Sequence, residues 1–400
     1  MSTVVSIWAR KKSSIQVTNC NTKKGVFNLK SKWFAFVILL MSVVIAVGCM
    51  KQQSTTAPTG ESPSSNQQQV FQWKMISVWG KGSALFENDQ YFVDLLRKLS
   101  NGRLDIKLHG VGELAPANQV LDMVSKGTVQ LGSEWAGYWT GLNTAFDPLG
   151  TQPIGFSNWD YLLWLEEAGG RELFNEMYGR YNGVYFPFAI SGMESGIRSN
   201  VPIKSLEDVK GKKIRMAGLV PSQLVQELGA TPVTLAATEL YESLQRGVVD
   251  AVEFSSPAVD EDGKIHEVAK YWLTPGFHQT SSIYGVMINK DAWASLPDDL
   301  KAVFEEASRS ALLSLTAQFT YQDALAADRL VKNGVEVTTL SDSDMQKLYD
   351  LKEKIVNKLA EENPDFAKVL KSQQDYLKSY AKYREMQGEW SFGNNKIIID

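Results

Sequence analysis

Cysteine is nearly absent from this chain: two occur in 400 residues, Cys20 and Cys49. Everything after residue 49 therefore folds without a disulfide framework and offers no thiol for chemistry. Histidine is almost as scarce, with three at positions 109, 266 and 278, and their separations match no zinc spacing. Long apolar runs are missing too. The one such stretch, residues 33–48, falls short of the roughly 20 apolar residues that a membrane-spanning helix needs. Nor is there a surplus of positive charge. The chain carries 41 basic and 45 acidic side chains, and removing the seven basic ones that precede residue 33 leaves 34 against 45, a net charge of −11. Nucleic acid is therefore not an expected partner. A small anion would need a local, buried positive group.

What is present begins with an export signal. Arg10, Lys11, Lys12, Lys23, Lys24, Lys30 and Lys32 precede the apolar run, and no acidic residue does, which is the layout of a signal peptide over residues 1–48. The run closes on Ala46-Val47-Gly48 directly before Cys49. That arrangement resembles a lipobox, with Ala46 where such signals usually carry Leu. The resemblance implies cleavage before Cys49 and a lipid on its thiol, anchoring the protein to the membrane; an uncleaved membrane anchor is the alternative. Both place the remainder outside the cytoplasm. Residues 52–69 are rich in Ser, Thr, Gln and Pro without apolar periodicity, so residues 49–71 read as a lipidated cysteine on a flexible tether.

The remaining stretch, about 330 residues, is long enough for two lobes. Strand-like and helix-like patterns alternate along it: residues 73–78 and 104–108 as strands around a helical 85–99, then a helical 115–125 before a strand at 129–131. This βαβ rhythm predicts an α/β fold with a mostly parallel sheet and ligands at the strand ends. Helical stretches at 159–168 and 171–181 flank Gly169-Gly170, followed by a strand at 183–190. A strand at 213–216 ends in Ala217-Gly218 and leads to a helix over 222–228. Thr238 is the expected N-cap of a helix closing at Gly247, before a buried strand at 248–254. After a strand at 284–288, Asp298 is the expected cap of a long helix over 300–331, then a strand at 334–338. A charged helical stretch over 341–383 breaks at Pro364.

Two stretches carry a family pattern. Lys204-Ser205-Leu206-Glu207-Asp208-Val209-Lys210-Gly211-Lys212-Lys213-Ile214-Arg215 is one. The other runs Leu235-Ala236-Ala237-Thr238-Glu239-Leu240-Tyr241-Glu242-Ser243-Leu244-Gln245-Arg246-Gly247-Val248-Val249-Asp250-Ala251-Val252-Glu253. Both resemble the signature of the solute receptors of TRAP (tripartite ATP-independent periplasmic) transporters. With Gly112-Glu113-Leu114, Gly169-Gly170-Arg171-Glu172-Leu173 and residues 271–278, the resemblance covers about residues 74–300. It implies a two-lobed, periplasmic-binding-protein-like (type II-like) fold with a hinge and long helices. Residues 74–190 plus 284–323 would form one lobe and 191–283 plus 324–377 the other, with 378–400 as a C-terminal extension. It also implies a binding protein, not an enzyme, that delivers a small organic carboxylate to TRAP membrane subunits. The Glu253-Phe254 pair and Pro275-Gly276-Phe277-His278 are most similar to the branch that binds 2-oxo or 2-hydroxy monocarboxylates, often with a bridging metal; an aromatic acid stays open as ligand. In that branch C-terminal extensions can embrace a second copy, so homodimerisation and packing of residues 341–383 on their own lobe both stay open.

Arg215, at a strand end before Ala217-Gly218, matches the family arginine that grips the ligand carboxylate. Its planar fork pairs bidentately with a carboxylate and stays charged when desolvated. Glu253 follows a buried strand and needs a partner there. The resemblance implies that Glu194, Glu253, the Phe254 carbonyl and Gln279 offer oxygen ligands to a cation. The branch commonly has an amide at the position of Glu194 and a carboxylate at that of Gln279, so the two look exchanged. An all-oxygen set suits Ca2+ or Na+. Without an ion, Glu194 and Glu253 would be held by hydrogen bonds or by Arg215. Trp79, Trp135, Tyr138 and Trp139 follow strands and are expected in the cleft wall, with Tyr138 as a donor to the ligand. Two other readings are an extracytoplasmic enzyme using Glu194 and Glu253 as an acid–base pair, and the binding protein of an ATP-driven importer.

Overall fold

The computed structural model describes residues 69–387. The signal segment, Cys49 and nearly all of the tether lie outside the described residues, as do residues 388–400 of the expected extension. In chain order the first half comprises β1 (Phe71–Ser77), α1 (Ala84–Leu99), β2 (Leu104–His109), α2 (Val120–Ser125), β3 (Leu131–Trp135), α3 (Phe146–Gly150), α4 (Asn158–Glu167), α5 (Gly170–Gly179) and β4 (Gly183–Ile190). There follow β5 (Ile197–Ser199), β6 (Lys213–Arg215), α6 (Leu219–Glu227), β7 (Thr231–Val233), α7 (Leu240–Gln245), β8 (Ala251–Val252), α8 (Pro257–Asp262), α9 (Ile265–Val268) and β9 (Tyr271–Thr274). The chain ends with β10 (Ile283–Asn289), α10 (Lys290–Ser295), α11 (Asp298–Lys332), β11 (Glu336–Thr339), α12 (Asp342–Glu362) and α13 (Pro364–Gln387).

These strands form two sheets, ordered β2-β1-β3-β10-β4 and β11-β9-β5-β8-β6-β7. Both are mixed, where a mostly parallel sheet was expected. The reason is topological. The chain leaves the first sheet after Ile190 and returns at Ile283, so β10 enters from the side of the second sheet and runs antiparallel to both β3 and β4. In the second sheet β5 likewise pairs antiparallel with β8 and β9. Helix α11, 35 residues long, packs on β4 and α1 of the first sheet's elements and on α8 of the second's. A single stiff rod thus touches both halves.

Local chemistry explains most element boundaries. Ser83 accepts from the Phe86 N–H at 3.3 Å and starts α1, and Ser157 with Asp160 forms a capping box for α4. Several expected boundaries moved. Thr238 lies inside a 3-10 turn, where Glu239 accepts from the Ala236 N–H, and α7 starts at Leu240. Asp298 is the first residue of α11, not its cap. The strand expected at 129–131 runs Leu131–Trp135. The one expected at 248–254 shrinks to Ala251–Val252, because Val248 is 51% exposed in the turn before it.

The first half is tied together by rings: Phe92 stacks on Phe188 at 4.7 Å, and Tyr185 stacks on both Phe174 and Tyr178 at 4.7 and 4.3 Å. Helix α12 packs on α6, whereas α13 runs unbroken through residue 377 and packs on α3. Its Gln373 donates to the Pro148 carbonyl at 2.7 Å, its Ser372 accepts from the Trp164 indole at 3.1 Å, and Tyr376 donates to Asp160 at 3.0 Å. Among the described residues no helix is long and apolar enough to cross a membrane.

Candidate ligand site

Arg215 ends β6, in register with Val252 of β8. The residue is buried to 2% exposure, and Nη1 donates to the Glu253 carbonyl at 2.6 Å and to Glu253 Oε1 at 2.7 Å. Nε donates to the Leu235 carbonyl at 3.3 Å. The guanidinium is thereby aimed along a fixed direction, toward a small cavity between the sheets. That cavity is lined by Arg215, Ala217, Phe254 and Gln279 from one side and by Trp79, Leu85, Trp135, Tyr138, Ser282 and Tyr284 from the other.

The aromatic wall is a packed unit. Tyr138 lies edge-on to Trp135 at 5.3 Å and tilted against Trp79 at 6.0 Å, and Trp79 meets Tyr284 edge-on at 5.8 Å. Burial raises the Tyr138 hydroxyl above its ordinary value, and the Arg215 guanidinium beside it opposes that rise. Tyr138 therefore stays a neutral donor facing the positive group. The Phe254 ring sits 6.0 Å from the Arg215 guanidinium.

Behind Arg215 stand two buried carboxylates with different fates. Burial would raise Glu253, but Arg215, His278 and the Ala217 N–H outweigh it and hold the carboxyl below its ordinary value. Its Oε1 accepts from Arg215 and from the Ala217 N–H. Its Oε2 lies 3.3 Å from His278 Nε2, yet outside hydrogen-bonding geometry, so neither atom has a hydrogen-bond partner. Glu194 is pushed well above the ordinary carboxylate range, first by burial and then by the charges of Glu253 and Asp260. Its Oε1 lies 3.1 Å from Ser282 Oγ, which is also 3.2 Å from Gln279 Oε1, and one hydroxyl hydrogen can serve only one of them. Glu194 Oε2 has no partner. Gln279 is fixed at its other end by donating to the Ala217 carbonyl at 3.4 Å. The loop holding Glu194 abuts Gly276, where any Cβ would strike the Glu194 carbonyl.

The structure thus brings together Arg215, Glu194, Glu253, Phe254, Gln279, Trp79, Trp135 and Tyr138. It turns Trp139 away: its indole donates to the buried Glu134 and does not line the cavity. Sequence reasoning missed Tyr284, Ser282 and Leu85, which also line the cavity. Among the described residues no group of three or more His, Cys, Asp or Glu is placed to hold a metal. A cation here would depend on amide and carbonyl oxygens beside the two glutamates. Buried Oε2 atoms on both glutamates fit such an ion, because each is a desolvated acceptor without a hydrogen-bond partner.

A small cavity between two mixed sheets, with one forked cation at its floor and a ring of aromatics over it, is the design of a two-lobed solute-binding protein. The family profile "Bacterial extracellular solute-binding protein, family 7" matches residues 75–363, and the chain belongs to that family. It is a periplasmic solute-binding protein of the TRAP type, a binding protein and not an enzyme. A monocarboxylate 2-oxoacid-binding periplasmic protein of Nostoc is 29% identical over 310 residues, 78% of this chain and 84% of that one. A TRAP solute-binding protein of Bordetella bronchiseptica, solved as a dimer with calcium and picolinate, has 26% identity and a TM-score of 0.76, covering 81% of this chain and 98% of its own. One from Pseudoalteromonas atlantica, solved with sodium and pyruvate, has 26% identity and a TM-score of 0.75, covering 81% and 100%.

Proposed function

We propose that this protein captures a small 2-oxo or 2-hydroxy monocarboxylate, of which pyruvate is the simplest, in the cavity at Arg215. The observation that carries the reading is a buried guanidinium, already oriented by Glu253, facing an aromatic-walled cavity between the two sheets. The ligand carboxylate pairs with Arg215 and its second oxygen meets the Tyr138 hydroxyl. The rings of Trp79, Trp135 and Phe254 exclude water, which strengthens the ion pair by lowering the local dielectric. Relatives that hold pyruvate or picolinate beside sodium or calcium support this chemistry.

Glu194, Glu253, the Phe254 carbonyl and Gln279 would hold a Ca2+ or Na+ ion, which supplies positive charge to offset the two carboxylates and to bridge the ligand. Capture is a hinge closure: the ligand docks on Arg215 in an open form, and the lobe carrying Trp79 and Tyr138 closes over it. The closed form then hands its cargo to TRAP membrane subunits, while a lipid on Cys49 keeps the protein at the membrane. Light scattering reports whether a second copy joins, as in the dimeric relative. The test is a tryptophan fluorescence titration with pyruvate, lactate and phenylpyruvate, each with and without CaCl2. Saturable binding of pyruvate, strengthened by calcium, is expected. No saturable response to any of the three would contradict the reading.

A further inference from the structure

Two carboxylates reach between the halves of the molecule to the N-termini of helices on the opposite side. Asp147 lies on α3, within the run that connects β3 to β4. Its Oδ1 accepts from the Leu219 N–H at 2.5 Å and its Oδ2 from the Val220 N–H at 3.1 Å. These are the first two residues of α6, which follows β6 of the other sheet. In return Asp262, the last residue of α8, accepts at 2.9 Å from the N–H of Ala84, the first residue of α1. The approach is close at Gly218, where φ is +86° and a Cβ would sit 3.1 Å from Asp147 Oδ1. The first N–H groups of a helix lack intrahelical partners, and the helix dipole favours an anion there. Helix α6 has no side-chain cap of its own. When the halves part, its first N–H groups therefore revert to water.

The two pieces that meet at the cavity also meet at this contact. Tyr138 sits in the 3-10 turn that packs on α3, so tightly that a Cβ on Gly150 would lie 2.8 Å from the Gly137 nitrogen. Tyr138 and Asp147 must move together. On the other side only Met216, Ala217 and Gly218 separate Arg215 from α6. Of these, the Met216 N–H donates to the Val233 carbonyl at 3.2 Å and the Ala217 N–H donates to Glu253. Arg215 and the α6 N-terminus also move together.

We infer that Asp147, with exposed Asp262 as a weaker counterpart, is a closure latch: a positioning residue that touches no ligand but holds the halves shut over it. The inference rests on the reading of the cavity as a carboxylate trap closed by a hinge. Because the latch is unmade in the open form, it acts on release and not on encounter. In stopped-flow experiments on the full chain with pyruvate and CaCl2, Asp147→Ala should raise the dissociation rate about tenfold. The association rate should stay within about twofold. Asp147→Asn, which keeps one carbonyl acceptor and guards against misfolding of the alanine variant, should raise the dissociation rate about threefold, and Asp262→Ala about twofold. Unchanged dissociation in the folded Asp147 variants would overturn the latch.

A second readout separates closure from a purely local contact. Hydrogen exchange followed by mass spectrometry should show faster exchange at residues 83–87 in Asp147→Asn, and at 218–222 in Asp262→Ala, because both contacts report one closure equilibrium. Exchange altered only beside the substituted residue would also overturn the proposal. If the wild-type protein binds no pyruvate, the ligand reading fails by itself, and the exchange experiment on the unliganded protein still decides the latch.

Discussion

Arg198 and Arg215 are both buried in the six-stranded sheet, both pair in register with Val252 of β8, and both hold a buried carboxylate. Their difference lies on the third side. Arg198 pairs with Asp260 at 3.1 Å and is covered by the Trp272 ring, 4.0 Å from its guanidinium carbon. Arg215 pairs with Glu253 at 2.7 Å and has a cavity where the other has an indole. Burial and ion pairing by themselves do not make a binding group. The neighbours of Arg215 leave a direction open and aim it there, which the proposed binding role requires.

The largest expected effect tests the closed half of this pair. Arg198→Met leaves Asp260 buried without its cation, which should cost about 3–5 kcal/mol. Scanning calorimetry should show a melting temperature lower by about 10 °C, with pyruvate affinity of the folded protein nearly unchanged. A loss of affinity without loss of stability would erase the distinction between the two arginines.

Next comes the open half. Arg215→Lys keeps a cation for Glu253 but removes the fork, so pyruvate affinity measured by titration calorimetry should fall about 100-fold, or about 2.7 kcal/mol. The melting temperature should move little.

Third, pH separates stability from binding. Burial lifts Asp89 and Glu134 to about 7, and Asp147 and Asp323 to about 6. Raised carboxyls bind protons more tightly in the folded state, so their stabilisation is complete below the unfolded value and is lost as pH rises through about 6 to 7. Thermal melts should therefore be higher at pH 6 than at pH 8 by a few degrees. Glu253, held low, works the other way, and its contribution disappears only in stronger acid, as pH falls through its lowered value.

The smallest effect concerns the glutamate beside the open arginine. Glu194→Gln removes one of two carboxylates available to a cation, and calcium affinity measured without ligand should fall about tenfold. Equal calcium affinity in wild type and variant would remove Glu194 from the ion's shell.

Much of the site was legible because its residues cluster in short motifs at strand ends. Arg215 before Ala217-Gly218 and Glu253-Phe254 after β8 sit where an α/β sheet presents side chains to ligands. Tyr284 and Ser282 were not legible, since they arrive on β10 and the residue just before it, and the insertion of β10 between β3 and β4 leaves no local signature. Trp139 misled for a local reason: in the 3-10 turn, neighbouring Tyr138 and Trp139 point apart, one to the cavity and one to Glu134. Strands β5 and β8, three and two residues long, are too short to show period-two alternation. Their place is set by pairing with partners far along the chain. The long helix α11 was readable from its length and composition, although its cap was placed a residue late.

The central claim, that Arg215 holds the ligand's carboxylate in the cavity between the halves, is tested most directly by a crystal structure grown with pyruvate and calcium. The account predicts the pyruvate carboxylate within hydrogen-bonding distance of the Arg215 guanidinium, under Tyr138 and Trp79. Pyruvate bound elsewhere, with Arg215 still engaged by Glu253 alone, would contradict it.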